Sequence, residues 1–336
     1  MSSFIRYSLI FLFLLSVLRF PLLSQKTHSA EELKIIKEKA NKLKFTKSDS
    51  AIYYAKKGLS WIKKSNDLNQ IIEFNTLISD IYYYSNEREK AFTFIDRSLK
   101  LCEEHNLQEE KIEVLYLLGL HFTRSARRGN DIIDTVKYSS ALDYYKEAIK
   151  LAEKHKDFMA VSKGYNLSAV VHDRLGHNQK ALDFYEQSEY YSRKVNDSIG
   201  LGYTLDYTGA LLAKMGQLNR AEDKLLEAVN IRKQLDDPFA YAINLNNLGE
   251  FYSKINQGEK AMKYFLFSLD ISIPNEYNDL AMHTMGLLSE IYVGKGMYRK
   301  AYQLKLSEDE IKDDYFSIER QKAIEELETK YKTELK

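Results

Sequence analysis

The sequence predicts an all-α chain built from repeated helix hairpins, and three observations carry that expectation. Of 336 residues only three are Pro and 14 are Gly, while 44% are apolar and 29% charged, a composition able to bury a continuous core and poor in turn formers. Apolar residues recur at spacings of three and four along most of the chain. One constellation of small and aromatic residues returns at a fixed interval of 40 positions.

The clearest copy runs from Leu248 to Ser268. Two helix axes approach to about 8 to 10 Å only where small side chains meet, so Gly249 on one helix and Ala261 and Ser268 on the next mark a crossing. Tyr252 and Phe265 fill the space around it, and Asn256-Gln257-Gly258 supplies the turn between the two helices. Forty residues earlier stand Gly209, Leu212, Gly216, Ala221, Leu225 and Ala228, and before them Ala169, His172, Gly176, Ala181, Tyr185 and Ser188. Downstream come Ser289, Tyr292, Gly296, Ala301 and Glu308. Gly119, Phe122, Ala141, Tyr145 and Ala148 fit once about ten residues are inserted at their hairpin turn, and Ser79, Tyr82, Ala91, Ile95 and Ser98 restore the period. Ala51, Ala55 and Gly58 form a degenerate first copy. Stacked helix pairs, a solenoid, follow.

These residues resemble the tetratricopeptide repeat, whose pattern is a Leu-Gly pair, an aromatic three residues on, then Ala, an aromatic and a second small residue on the partner helix. The resemblance covers about Glu31 to Asp314 and implies a right-handed α–α superhelix in which the first helix of each pair lines the concave face. The period of 40 exceeds the family's usual 34, and the Pro that often closes a unit is mostly absent.

Taken in order, the chain begins with an apolar run from Tyr7 to Leu18 flanked by Arg6 and Arg19, too short to span a bilayer core of ~30 Å and suited to a secretory signal over residues 1–24. The expectation is an exported, periplasmic or extracytoplasmic protein, membrane-anchored through its N-terminus if the segment is not cleaved. Ser29 ahead of Glu32 reads as a capping box opening the first helix. About seven hairpins then fill residues 25–314. Asn66-Asp67, Lys156-Asp157, Asn196-Asp197 and Asp236-Asp237 recur at one phase as turns or caps, and Pro238 sits where the first turn of a helix tolerates it. Residues 124–138 hold the insertion, an exposed loop with a short apolar contact at Ile132-Ile133. Beyond Ser307 the repeat lapses, and residues 315–336 read as a long C-terminal helix, a coiled-coil candidate through which a dimer could form. Leu327 to Glu334 resembles the segment closing the extracytoplasmic repeat region of bacterial membrane-bound sensor histidine kinases and helix-turn-helix regulators.

No catalytic template is present in a defensible form, and neither a cofactor nor a metal is expected. Gly294-Lys295-Gly296 lacks the phosphate-loop frame, and His172 and His177 are five apart, so they do not share a helical face. His172 stands where other copies carry Phe122, Tyr252 and Tyr292 and reads as a partly buried aromatic substitute. The single cysteine, Cys102, allows no intramolecular disulfide and reads as a small packed residue. A net charge of +1 disfavours nucleic acid as a partner.

A protein or peptide partner on the concave face is the remaining expectation, with the sensory input region of a membrane signalling protein as the alternative. Counting from the packing residues Ala169, Gly209, Gly249 and Ser289 points Asn166, Asp173, Arg174, Asp206, Lys214, Asn246, Glu250 and Lys254 inward, with Tyr116 and Tyr203 as aromatic neighbours. Rows of amides and charges suit an extended peptide, whose backbone and register they can fix. Arg124, Arg174, Lys214 and Lys254 also fall in the last turn of a helix, where a cation offsets the macrodipole, so their ladder is open to a structural reading. Tyr83 and Tyr84 are placed inward by the same count.

Overall fold

A computed structural model describes residues 29–44, 47–62, 67–128, 132–313 and 317. Both the segment 1–24 and the C-terminal segment 315–336, except for Ser317, lie outside the described residues, as does the proposed dimer contact. The chain divides into two compact units, Met1–His121 and Phe122–Lys336.

In the first unit α1 (Ala30–Leu43), α2 (Ser48–Ile62), α3 (Leu68–Tyr84) and α4 (Arg88–Glu104) each pack on the next, and the greater part of α5 (Gln108–Ser125) follows. Ser29 accepts the Glu32 amide while Glu32 accepts the Ser29 amide, so the capping box opens α1. Ala40, Ala55, Ile78 and Ala91 are fully buried at the helix crossings, with Ile36, Ile62 and Phe74 around them. Ser79 donates to the Ala91 carbonyl at 2.8 Å, which satisfies its hydroxyl inside the seam. Cys102 is buried on α4, and burial pushes its thiol up to about 11, away from thiolate chemistry. Tyr83 stacks on His121 at 4.4 Å, whereas Tyr84 turns out to solvent.

The second unit opens with the end of α5 and a two-rung antiparallel ladder, β1 (Arg127–Arg128) and β2 (Ile132–Ile133), in place of the expected plain loop. The chain must reverse direction within the insertion, and backbone pairing satisfies its polar groups there. Helices α6 (Thr135–His155), α7 (Phe158–Arg174), α8 (Asn178–Lys194), α9 (Ser198–Lys214), α10 (Leu218–Lys233), α11 (Pro238–Lys254), α12 (Gly258–Ser272), α13 (Asn278–Gly294) and α14 (298–313) follow. Asp157, Asp197 and Asp237 cap α7, α9 and α11, each accepting the amide three residues on at 2.9 to 3.0 Å. Within the pairs, Gly176, Gly216 and Gly296 adopt φ between 72 and 77°, and Asn256 takes the same left-handed turn at 60°.

Packing follows the small residues. A Cβ on Gly249 would stand 2.6 Å from the Phe265 ring, so only glycine lets α11 lie this close to α12. Ser268 donates to the Ala242 carbonyl at 2.9 Å in the same seam. On α14 the positions 40 beyond Phe265, Ser268, Leu269 and Ser272 are Lys305, Glu308, Asp309 and Lys312. Glu308 accepts from Lys305 at 3.0 Å and pairs with Lys312, and these cations hold its carboxyl below the usual range. Where earlier second helices bury an apolar row, α14 presents charge at the same positions.

Candidate functional site

The site forms where the first helices of two successive repeats, α9 and α11, lie side by side. Leu205, Gly209 and Leu212 of α9 pack onto α10, and Leu245, Leu248 and Gly249 of α11 pack onto α12. The neighbouring face of each first helix is left to line a cavity of about 500 Å³. Asp206, Lys214, Glu250 and Lys254 all contribute to it, with Tyr207 and Phe251 as aromatic walls and Ala210, Ala213, Leu218 and Ile255 as smaller apolar ones.

The polar groups around this cavity are tied from one first helix to the next. Asn247 donates from Nδ2 to Asp206 Oδ2 at 2.7 Å. Lys214 Nζ donates to Asp173 Oδ1 at 2.9 Å, joining α9 to α7, and Asn166 donates to Thr204 Oγ1 at 3.0 Å across the same pair. Asn246 Oδ1 accepts from Thr284 at 2.8 Å while its Nδ2 donates to Glu250 at 3.1 Å, and His283 Nε2 lies 3.1 Å from the same Glu250 oxygen. Lys254 reaches Glu250 at 3.4 Å and remains 75% exposed.

Asp206 is the outlier in this network. It is only 8% exposed, and its Oδ1 has no hydrogen-bond partner among the described residues. Burial pushes its carboxyl up to about 6, against the pull of the Asn244 and Asn247 amides and the Arg232 charge. Arg232 is itself buried on α10: it donates to the Ile199 carbonyl at 3.1 Å and lies 4.1 Å beneath the exposed Tyr203 ring. A Cβ on Gly202 would sit 2.7 Å from Arg232 Nε, so Gly202 makes room for the guanidinium.

The structure thus brings Asp206, Lys214, Glu250 and Lys254 into one cavity and joins Asn246 and Asp173 to its edge through Glu250 and Lys214. Asn166 sits one repeat earlier, Arg174 is exposed and not among the cavity's lining residues, and Tyr203 covers Arg232 instead. Two placements need correction. Tyr116 belongs to the first unit and is fully buried, because its phase on α5 turns it into the core. Asn246 is 3% exposed and serves as a bridge between repeats, with both of its polar ends engaged inside the protein. Tyr207, Asn247 and Phe251 escape the phase count because they lie one position off it; the Asn246-Asn247 doublet is the signal that marks them.

Elsewhere the His172 ring packs on Phe184 at 5.2 Å and beside His177 at 5.8 Å, and burial lowers its pKa. Among the described residues no group of three or more His, Cys, Asp or Glu side chains is placed to hold a metal.

Solved structures with the same architecture decide the fold. A Rap protein complexed with competence and sporulation factor matches with a TM-score of 0.56 at 15% identity, covering 84% of this chain and 77% of that one. NprR in complex with its cognate peptide NprX matches at 0.53 and 15% identity, over 95% of this chain and 88% of that one. The fold is a tetratricopeptide-like helical repeat. A signal-transduction ATPase with a tetratricopeptide repeat sensor from Pyrococcus horikoshii has the same fold, with a TM-score of 0.61 and 13% identity over 86% of this chain and 44% of that one. No family model and no curated protein matches the sequence.

These neighbours overturn the exported placement expected from the N-terminal segment. Rap and NprR are cytoplasmic regulators. Among the described residues, which do not include the N-terminal segment, no helix is long and apolar enough to cross a membrane.

Proposed function

We propose that this protein is a non-catalytic scaffold that binds an extended peptide segment on the first-helix face of its second unit, at the cavity between α9 and α11. The observation that carries this reading is the cavity itself, which combines apolar walls from Tyr207 and Phe251 with four charged side chains at one site. Such a site takes up side chains in its apolar part and fixes register with its charges. Peptide-bound Rap and NprR structures of the same fold support it.

The test fills the cavity. Ala210 lines it from an exposed position on α9, so Ala210→Trp occupies the space without disturbing the core. Peptides retained by the wild-type chain from a random heptapeptide library should bind the variant at least tenfold more weakly at an unchanged melting temperature. Unchanged affinity returns the cavity to a by-product of helix packing.

A second reading, the input region of a larger signalling protein, is supported by the ATPase whose repeats form a sensor. An effector reading frame continuing downstream of Lys336 in the genome would favour it.

A further inference from the structure

The two lysines that line the cavity with Asp206 are each paired with another carboxylate, Lys214 with Asp173 at 2.9 Å and Lys254 with Glu250 at 3.4 Å. Arg232 donates from Nη2 to the Ile199 carbonyl and lies against the Tyr203 ring, while its Nε and Nη1 are buried without a hydrogen-bond partner among the described residues. Asp206 is left with one amide on Oδ2 and none on Oδ1, although it lines a space large enough for a side chain. The Arg232 charge acts on it, but no ion pair joins the two among the described residues, and a carboxylate removed from water without such a pair is costly to ionise. Its walls suit a long cationic side chain from outside: Tyr207 and Phe251 offer apolar surface to the methylene stem that carries the charge. An anionic group entering here would meet Asp206 and Glu250 together.

We infer that the segment bound at this cavity presents an ammonium or guanidinium group to Asp206, so that the partner is a peptide with a Lys or Arg at the position that enters between α9 and α11. The inference rests on the peptide reading above and adds the chemistry of one ligand position. Asp206 then gains a charge-assisted hydrogen bond, and the ligand's stem displaces water from the aromatic walls.

The test uses the full chain and a random heptapeptide library acetylated and amidated at its ends, so that only side chains carry charge. At pH 7.5 the retained peptides should be enriched at least tenfold in Lys or Arg at one register position. Asp206→Asn should still retain peptides but lose that preference. If the wild type retains no peptide, the scaffold reading fails. Peptides retained without a basic position, or a preference that persists in Asp206→Asn, overturn the Asp206 inference alone.

A second measurement needs no variant. The affinity ratio between a selected Lys peptide and its norleucine counterpart should collapse toward one as pH falls from 7.5 to 5, since Asp206 protonates near 6. The charged and titratable groups facing this region are Tyr207 and Lys214 on α9, Arg232 on α10, Glu250 and Lys254 on α11, His283 on α13, and Asp173 and Arg174 on α7. The two peptides differ only in the charged group at one position, so the ratio isolates that position. A ratio that stays constant with pH overturns the inference.

Discussion

Asn247 donates to Asp206 at 2.7 Å across the junction of two repeats, onto a carboxylate only 8% exposed. The pair shows how the repeat builds a site: residues 41 apart occupy nearly the same phase of successive first helices and face each other. The same geometry joins Asp173 to Lys214, also 41 apart, and Asn166 to Thr204, 38 apart.

The buried carboxylate has a pH signature. The Asp206 pKa rises from an unfolded value of ~3.9 to about 6 in the folded chain. The folded state therefore binds this proton more tightly, so its stabilising effect is full below pH ~4 and is lost as pH rises through about 6. At 1.36 kcal/mol per unit the loss is about 3 kcal/mol. Relative to the wild type, Asp206→Asn should become more stable by about that amount between pH 4 and 7, because the groups that titrate elsewhere contribute equally to both chains. Urea unfolding of the two proteins at several pH values measures the difference; parallel curves contradict the assignment.

A seam prediction concerns Gly249. Gly249→Ala forces a methyl group to within 2.6 Å of the Phe265 ring, which has no free side to move to in a closed seam. Overpacking of this kind costs about 1 to 3 kcal/mol. Adding Phe265→Leu should recover part of the loss, and chemical denaturation of the single and double variants decides it. A Gly249→Ala chain as stable as the wild type would show that α11 and α12 can separate cheaply.

Most of this architecture was legible in the sequence because it is a matter of volume. Gly249, Ala261 and Ser268 can meet a neighbouring helix only at a crossing, so their spacing fixes which helices pair. Caps were legible for the same local reason, as Asp157, Asp197 and Asp237 show. The site was less legible, since phase alone does not say whether an inward residue meets solvent or the next repeat. Asn246 and Asp206 share the phase of exposed neighbours and are buried by contacts from α13 and α11, 38 and 41 residues away. Tyr116 fails differently: its helix carries Val114, Leu115 and Leu117 as buried neighbours, and an apolar run with no polar face gives the count no direction.

Glu189 supplies an acid-side prediction. Burial raises its pKa, but hydrogen bonds from Lys224 at 2.7 Å and Arg193 at 2.8 Å outweigh that and leave it lowered. Its contribution is present above the unfolded glutamate value of ~4.3 and fades as pH falls through the lower folded value. Glu189→Gln should cost about 1 kcal/mol at pH 7, a figure discounted for partial exposure, and the cost should shrink below pH 4. Thermal melts of both proteins at pH 7 and pH 3.5 check the direction, and an equal cost at both values contradicts it.

The charged face of α14 yields the last prediction. Lys305 and Asp309 occupy the positions where α12 carries the buried Phe265 and Leu269. On α12 those residues are buried, Phe265 against Gly249 of α11; on α14 the same positions are exposed. Replacing Lys305 with Phe and Asp309 with Leu places an apolar row on an exposed face. Exposing such a row costs solubility and invites association, since each buried apolar side chain contributes about 1.5 to 3 kcal/mol. Lys305→Phe/Asp309→Leu should therefore form concentration-dependent oligomers in sedimentation velocity at micromolar protein, while the wild-type distribution stays independent of concentration over the same range. If the double variant behaves as the wild type does, the charges on α14 do not by themselves keep the chain from associating.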